Sequence, residues 1–294
     1  MINNHIKGGD CHRMRVFMDE FLTLSVIMPA LNEEKNIEKA IFSTLNAFEK
    51  FKITGEILVV NDGSTDKTQA IVNRIVENNA QIRLINHDKP KGVGYSFWDG
   101  VKNSSSDIVV MFPGDNENDP VDALSFLFLM HNVDIIIPFI HNVDVREKIR
   151  RIISSTFRFI INVSFGINLN YTNGTVFYRR AILDDFELKN FGFLYQSELL
   201  IKLLRKGYLF AEVPNFLLTR TNGKSKAITL NSLLQVMKGY LMLVHDIHIK
   251  RVEEKNYKNL NKKSISYKKI YNILDNITDE PDDARKVKKE EVHV

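Results

Sequence analysis

A single cysteine, Cys11, stands in 294 residues, which excludes an internal disulfide framework and any cysteine-rich zinc site and fits a reducing compartment. Long apolar runs are missing as well. The best candidate, residues 228–249, is interrupted by Asn231, Gln235, Lys238, His245 and Asp246, so it lacks the roughly 18 apolar residues that a membrane span needs. Charge of one sign is weak: a net +4 does not make the basic, aromatic-interleaved stripe of a nucleic-acid binder. Residues 1–20 hold Asp10, Arg13, Arg15, Asp19 and Glu20 but no apolar core of a secretory signal. Sequons at Asn103, Asn162, Asn173 and Asn276 therefore read as chance matches. The eight histidines show no pair at metal-ligand spacing, and no internal repeat is visible. A cytoplasmic location is expected.

What is present is a 44% apolar chain, long enough for one large core with an appended segment. Strand and helix signals alternate through the first half, which predicts βαβ units, an α/β fold and a mostly parallel sheet flanked by helices. Strands are expected at Leu24–Met28, Glu56–Val60, Ile82–Ile85, Asp107–Met111 and Val133–Ile137. Helices are expected at Glu33–Lys50, Lys67–Glu77, Gly94–Lys102 and Pro120–Met130. Residues 145–165 alternate arginine and lysine with isoleucine and phenylalanine as a basic amphipathic helix. A short strand Thr175–Tyr178, a helix over 195–206, a strand over 208–213 and a last amphipathic helix complete the pattern. The chain divides into a disordered leader, 1–21; a main domain, 22–228; an amphipathic helix, 229–249; and a charged tail or loosely attached helix, 250–294.

Two strand endings carry chemistry. Glu56-Ile57-Leu58-Val59-Val60 runs into Asn61-Asp62-Gly63-Ser64, and about fifty residues later Val109-Val110-Met111-Phe112 runs into Pro113-Gly114-Asp115-Asn116-Glu117. Ligands bind where buried parallel strands end, so carboxylates at two such endings suggest a nucleotide–metal site. Asp62-Gly63-Ser64 could equally be a turn that caps the next helix. Asp119-Pro120 also reads as an ordinary helix start. Lys91-Gly92-Val93-Gly94 follows the third strand, but it lacks the third glycine and downstream acid of a dinucleotide fingerprint.

The first strand ends in Pro29-Ala30-Leu31-Asn32-Glu33-Glu34. With Asn61-Asp62-Gly63-Ser64, Lys91-Gly92-Val93-Gly94, Gly192 through Leu200, Glu212-Val213-Pro214 and Arg220 through Lys226, this resembles the family 2 glycosyltransferases of GT-A fold. The nearest likeness is to dolichol-phosphate mannose synthases and bacterial polyprenyl-phosphate relatives, over about residues 22–228. The resemblance implies a Rossmann-like sheet and an inverting transfer from a GDP- or UDP-sugar to a polyprenyl or dolichyl phosphate. It implies that Pro29, Leu31, Glu33 and Asp62 surround the base and ribose, with Lys91 and Gly92 beside the donor.

Asp115 is expected to be a catalytic and donor-binding residue, and Asp115 with Glu117 to be the ligands of Mg²⁺ or Mn²⁺. The family's Asp-x-Asp-x-Gln is here Pro113-Gly114-Asp115-Asn116-Glu117, so one carboxylate is lost and another gained. That leaves a shifted, weakened or absent metal site open. Glu198 is a catalytic candidate, with a structural hydrogen-bonding role as its alternative. A phosphate acceptor is ionised near neutral pH and needs no general base, unlike a sugar hydroxyl. Arg179, Arg220, Lys224 and Lys226 are expected to bind donor or acceptor phosphate, the loop cations otherwise being solvated. The two amphipathic helices could rest on the cytoplasmic membrane surface or simply pack on the core. Rival readings are transfer to a sugar hydroxyl in surface polysaccharide or lipid-linked glycan synthesis, a non-catalytic nucleotide-sugar-binding protein, and a nucleotidyltransferase. The last would need a glycine-rich basic loop after the first strand, which Met28-Pro29-Ala30-Leu31-Asn32 is not.

Overall fold

A computed structural model describes residues 22–142, 148–216, 230–250 and 259–278. The leader 1–21 and the cations Arg220, Lys224 and Lys226 lie outside the described residues. Apolar runs too short for helices and buried on both faces become strands. They are β1 Leu24–Ala30, β2 Gly55–Asn61, β3 Ile82–Asn86, β4 Ile108–Met111, β5 Ile135–Ile140, β6 Phe177–Arg179 and β7 Phe210–Asn215. One seven-stranded sheet has the order β3-β2-β1-β4-β6-β5-β7. Only β6 runs antiparallel to its neighbours, so the other strands all end at one rim. β1 is buried at every position, the pattern of a strand covered on both faces.

Helices flank the sheet or pack on its flanking layer: α1 Ile37–Phe51, α2 Thr68–Val76, α3 Val93–Asn103, α4 Pro120–Leu124, α5 Lys148–Phe165, α6 Tyr195–Lys206, α7 Leu230–Val244 and α8 Ile265–Thr278. One core lies between the sheet and α1, α2 and α4, and a second between the sheet and α3 and α6. Close packing is enforced at Gly100, where an added Cβ would collide with the Ile27 side chain. A third cluster joins Ile161 and Phe165 of α5, Ile201 of α6, and Leu243 and Ile247 at the end of α7.

Element boundaries shift for local reasons. α1 starts at Ile37 rather than Glu33, because the amides of Glu33 and Glu34 bond the Thr68 hydroxyl and Asp66 carboxylate instead of opening a helix. The expected helix Pro120–Met130 is a single α turn capped by Asp119, followed by a tighter 3₁₀ turn over Leu127–His131.

Part of the expected tail is anchored to the body. Leu260 is buried in the second core. Asp134, at the start of β5, accepts bonds from the amides of Ile265 (2.7 Å) and Ser266 (2.9 Å) and from the Ser266 hydroxyl. Asp134 also pairs with Arg179, Nε to Oδ1 3.3 Å, and Arg179 donates to the carbonyl of Met130. Arg179 lies opposite Ile108, the first residue of β4. It is therefore buried at the end of the sheet away from the rim, apart from the other expected site residues that the structure describes.

Breaking one member of a buried ion pair costs about 3–5 kcal/mol. Asp134→Ala is expected to lower stability by that amount in urea titration and to expose the amides of Ile265 and Ser266 to exchange. A change within about 0.5 kcal/mol would show that Asp134 does not hold α8.

Candidate active site at the strand rim

The registers align the strand ends. Ala30 pairs with Asn61 and Ile27 with Met111, and Asn61 pairs with Asn86. Beyond Met111 the chain turns back, and the amide of Gly114 donates to the carbonyl of Pro29 at 3.0 Å. The first residues past four strands thus meet at one edge: Leu31, Asp62, His87 and the loop of Asp115.

The loops after β1 and β2 are laced together by side chains bonding backbone. The Asn32 amide donates to the Ser64 hydroxyl (3.0 Å), and the Thr65 amide returns a bond to Asn32 Oδ1 (2.8 Å). Asp66 accepts from the Glu34 amide (3.1 Å), and Glu34 accepts from the Lys67 amide (3.1 Å). Burial works to raise the Asp66 pKa, but bonds from the Thr68 hydroxyl and amide and the Glu34 amide overcome it and hold the carboxyl below its usual range. Asn32 takes a left-handed conformation, φ 57°, which asparagine tolerates better than most residues.

Asp62 is buried and organises the next loop. Its Oδ1 accepts the Lys91 amide at 2.8 Å and its Oδ2 the Gly92 amide at 2.9 Å. His87 completes the cluster, with Nδ1 2.8 Å from Asp62 and Nε2 3.1 Å from Asp99 of α3. Gly92 has φ 99°, a conformation open to glycine and strained for other residues. Gly94 lies so close to the next layer that an added Cβ would stand 2.8 Å from the carbonyl of Phe191, which accepts the Gly94 amide at 3.0 Å. The Lys91 ammonium sits 4.6 Å over the Tyr95 ring.

Each expected site residue can now be placed. Pro29 is the last residue but one of β1 and is buried, Leu31 and Glu33 beyond the strand are half-buried, and Glu33 accepts from the Asn36 side chain at 2.8 Å. Asp62, Lys91 and Gly92 are brought together. Asp115 lies half-buried in the loop after β4, and its Oδ1 accepts the amide of Glu117 at 3.1 Å. Among the described residues no three acidic, histidine or cysteine side chains converge as a ready-made cation site. Mg²⁺ and Mn²⁺ need fewer protein ligands when a substrate diphosphate and water fill the shell, so a ready-made cluster of three is not required for either ion.

Glu198 does not open onto the rim. It is 1% exposed, and its oxygens accept the amides of Lys189 (3.2 Å) and Asn190 (2.8 Å), the Asn190 side chain (2.6 Å) and the Lys202 ammonium (2.5 Å). With every lone-pair direction engaged, Glu198 positions the 189–191 segment, and that segment braces Gly94. These bonds are those of the structural alternative for Glu198. Asn32, Asp66, Thr68 and His87 were not singled out from the sequence, although His87 follows its strand as directly as Asp62 follows β2.

Comparison with known proteins agrees with this architecture. The glycosyl transferase family 2 model matches residues 25–186, more than half of the chain, and the chain belongs to that family. Two relatives are dolichyl-phosphate beta-glucosyltransferases of Trichomonas vaginalis, 34% and 35% identical over 105 residues. A third is an uncharacterized glycosyltransferase of Synechocystis, 31% identical over 99 residues. The match spans about a third of this chain (34% in each case) and about a third of the relatives' own length (31–32%). Among solved structures, glucosyl-3-phosphoglycerate synthase of Mycobacterium tuberculosis superposes with a TM-score of 0.57 at 21% identity, covering 82% of this chain and 86% of that one. Its complex with UDP gives 0.59 at 19% identity, covering 86% and 88%. The fold is GT-A.

Hydrogen bonds to a charged acceptor contribute about 1.5–3 kcal/mol each. In Asp62→Ala the Lys91 and Gly92 amides are therefore expected to exchange with deuterium about tenfold faster or more, while the amides of β1 keep their protection. Unchanged protection at Lys91 and Gly92 would show that the loop holds its shape without Asp62.

Proposed function

We propose that the chain is an inverting glycosyltransferase that moves a sugar from a UDP- or GDP-sugar to a polyprenyl or dolichyl phosphate. The carrying observation is the saturation of Glu198. Hydroxyl-directed members of the family often carry a paired carboxylate there as a base, whereas here the carboxylate is spent on backbone amides and Lys202. A phosphate acceptor, with a second pKa near 6, is already a nucleophile at neutral pH. The Trichomonas relatives, both dolichyl-phosphate beta-glucosyltransferases, support the same acceptor class.

In this reading the base and ribose lie against Pro29, Leu31 and Glu33, beside the loop that Asp62 holds. An acceptor phosphate oxygen attacks the anomeric carbon from the face opposite the nucleotide. The bond from that carbon to the donor's β-phosphate oxygen breaks, and the nucleoside diphosphate leaves. Asp115 and Glu117 would hold a Mg²⁺ or Mn²⁺ ion, which neutralises charge on the leaving diphosphate. Solved complexes of the mycobacterial synthase with UDP and Mn²⁺ or Mg²⁺ support a divalent cation. Arg220, Lys224 and Lys226 are retained as phosphate-binding candidates on sequence alone. Positioning and charge neutralisation supply the rate, at the cytoplasmic face where donor and lipid acceptor meet. Pro113 in place of an acidic residue favours one second reading, a nucleotide-sugar-binding protein without turnover.

The test is transfer of labelled sugar from UDP-glucose or GDP-mannose to undecaprenyl phosphate in detergent, followed by solvent extraction of the lipid product. Product is expected with Mn²⁺ or Mg²⁺ and none with chelator, and Asp115→Asn should lower kcat by about a hundredfold or more. Labelled glycan without labelled lipid phosphate would replace the acceptor class. Nucleotide binding with no transfer to any acceptor would make the second reading the better one.

A further inference from the structure

α5 and α7 pack side by side through their inner faces. Ile161 and Phe165 of α5 meet Leu243 and Ile247 over Ile201 of α6, and the Ser164 and Tyr240 hydroxyls bond at 2.7 Å. The opposite faces carry large apolar side chains that nothing in the described structure covers. Phe159 and Val163 are each 67% exposed and Ile152 66%, while Leu234 is 62% and Met237 and Leu241 59% exposed. Spacings of four and seven in α5, and of three and four in α7, put each set on one stripe. Phe193, in the loop against which α7 packs through Gly239 and Asn190, adds another exposed ring.

Charge decides what fits this surface. The sequence of α5 includes Lys148, Arg150, Arg151 and Arg158, and α7 includes Lys238, yet neither helix contains an aspartate or glutamate. Asp246, just after α7, is buried and bonds the Lys189 ammonium at 2.6 Å, and the acids that precede α5 in sequence, Asp144 and Glu147, alternate with Arg146 and Lys148. A second copy of the chain would set these basic helices against their own like charges. The residues after 278 are dominated by charge, with no apolar stripe to lie here. No helix among the described residues is long and apolar enough to cross a membrane.

We propose that the joint outer face of α5 and α7 docks on an anionic lipid bilayer, its apolar stripe sinking to the acyl boundary and its basic residues meeting the headgroups. The face adjoins the donor loop: α7 packs on residues 190–194, and the Phe191 carbonyl of that segment holds the Gly94 amide. Docking would therefore present the rim to an acceptor phosphate at the membrane surface. This purpose rests on the lipid-acceptor reading, whereas the docking itself does not.

The experiment is sedimentation of the full chain with vesicles of phosphatidylcholine alone or mixed with phosphatidylglycerol, at low and high salt. The variants are Phe159→Ser with Leu241→Ser, Lys238→Glu, and Phe42→Ser as a control. Phe42 is 51% exposed on α1, away from this face. Binding is expected to the anionic vesicles, to weaken with salt, and to fall about tenfold in Phe159→Ser/Leu241→Ser and in Lys238→Glu but not in Phe42→Ser. Absence of binding, equal binding to neutral vesicles, or equal loss in the Phe42 variant would overturn the proposal. So would a dimer in sedimentation velocity that the double variant abolishes, which would make the face a contact between copies. Transfer to a short, water-soluble prenyl phosphate should be unchanged in the double variant, which also shows that it folds. Vesicle binding together with no use of any prenyl phosphate by the wild type would leave docking standing and remove the acceptor reading.

Discussion

A buried carboxylate accepting two consecutive backbone amides is the interaction on which the rim depends. Asp62 follows directly on β2, and by taking the amides of Lys91 and Gly92 it ties the end of one strand to the loop beyond the next. Buried polar groups are costly unless paired, so once Asp62 is in place the loop has one low-energy position. His87 and Asp99 extend the network into α3, which anchors the loop to a helix of the second core.

From that point restraint passes to the other side of the molecule. Gly94 can approach the Phe191 carbonyl only because it has no side chain, and the segment bearing Phe191 is held by Glu198. The same segment supplies Lys189, which bonds Asp246 beyond α7. Burial works to raise the Asp246 pKa, but the Lys189 bond and the charges of Lys189, Lys202 and Lys250 overcome it and keep the carboxyl ionised. An unbroken path of charge-assisted bonds and close packing thus runs from the donor loop to the outer helices.

Much of this was legible in the sequence because buried parallel strands write themselves as short apolar runs, and their endings expose the residues that do chemistry. That is how Asp62 and Asp115 could be placed at the rim, and the ordered motifs pointed to the family. What was not legible depends on partners far away in the chain. Arg179 reads as an ordinary cation in sequence, and only the register of β6 against β4 puts it at the far end, where Asp134 neutralises it. Glu198 is different: its donors are near in sequence, Lys202 one turn further along α6 and the Lys189 and Asn190 amides nine and eight residues back, and what local pattern does not give is the path of the loop that turns those amides toward it. Leu260 and Ser266 stand in a stretch whose average composition is that of a solvated tail, and a few contacts to Asp134 and the second core outweigh the average. The lacing of Asn32, Ser64 and Asp66 joins two loops that are about thirty residues apart, beyond the reach of local propensity.

The central claim is that the rim holds a nucleotide diphosphate through a cation at Asp115. Calorimetric titration with UDP and GDP, each with and without Mn²⁺, on wild type and Asp115→Ala, tests it most directly. Binding by one nucleotide that requires Mn²⁺ and is lost in Asp115→Ala is the predicted result. Tight binding indifferent to both metal and mutation, or no binding of either nucleotide, would contradict it.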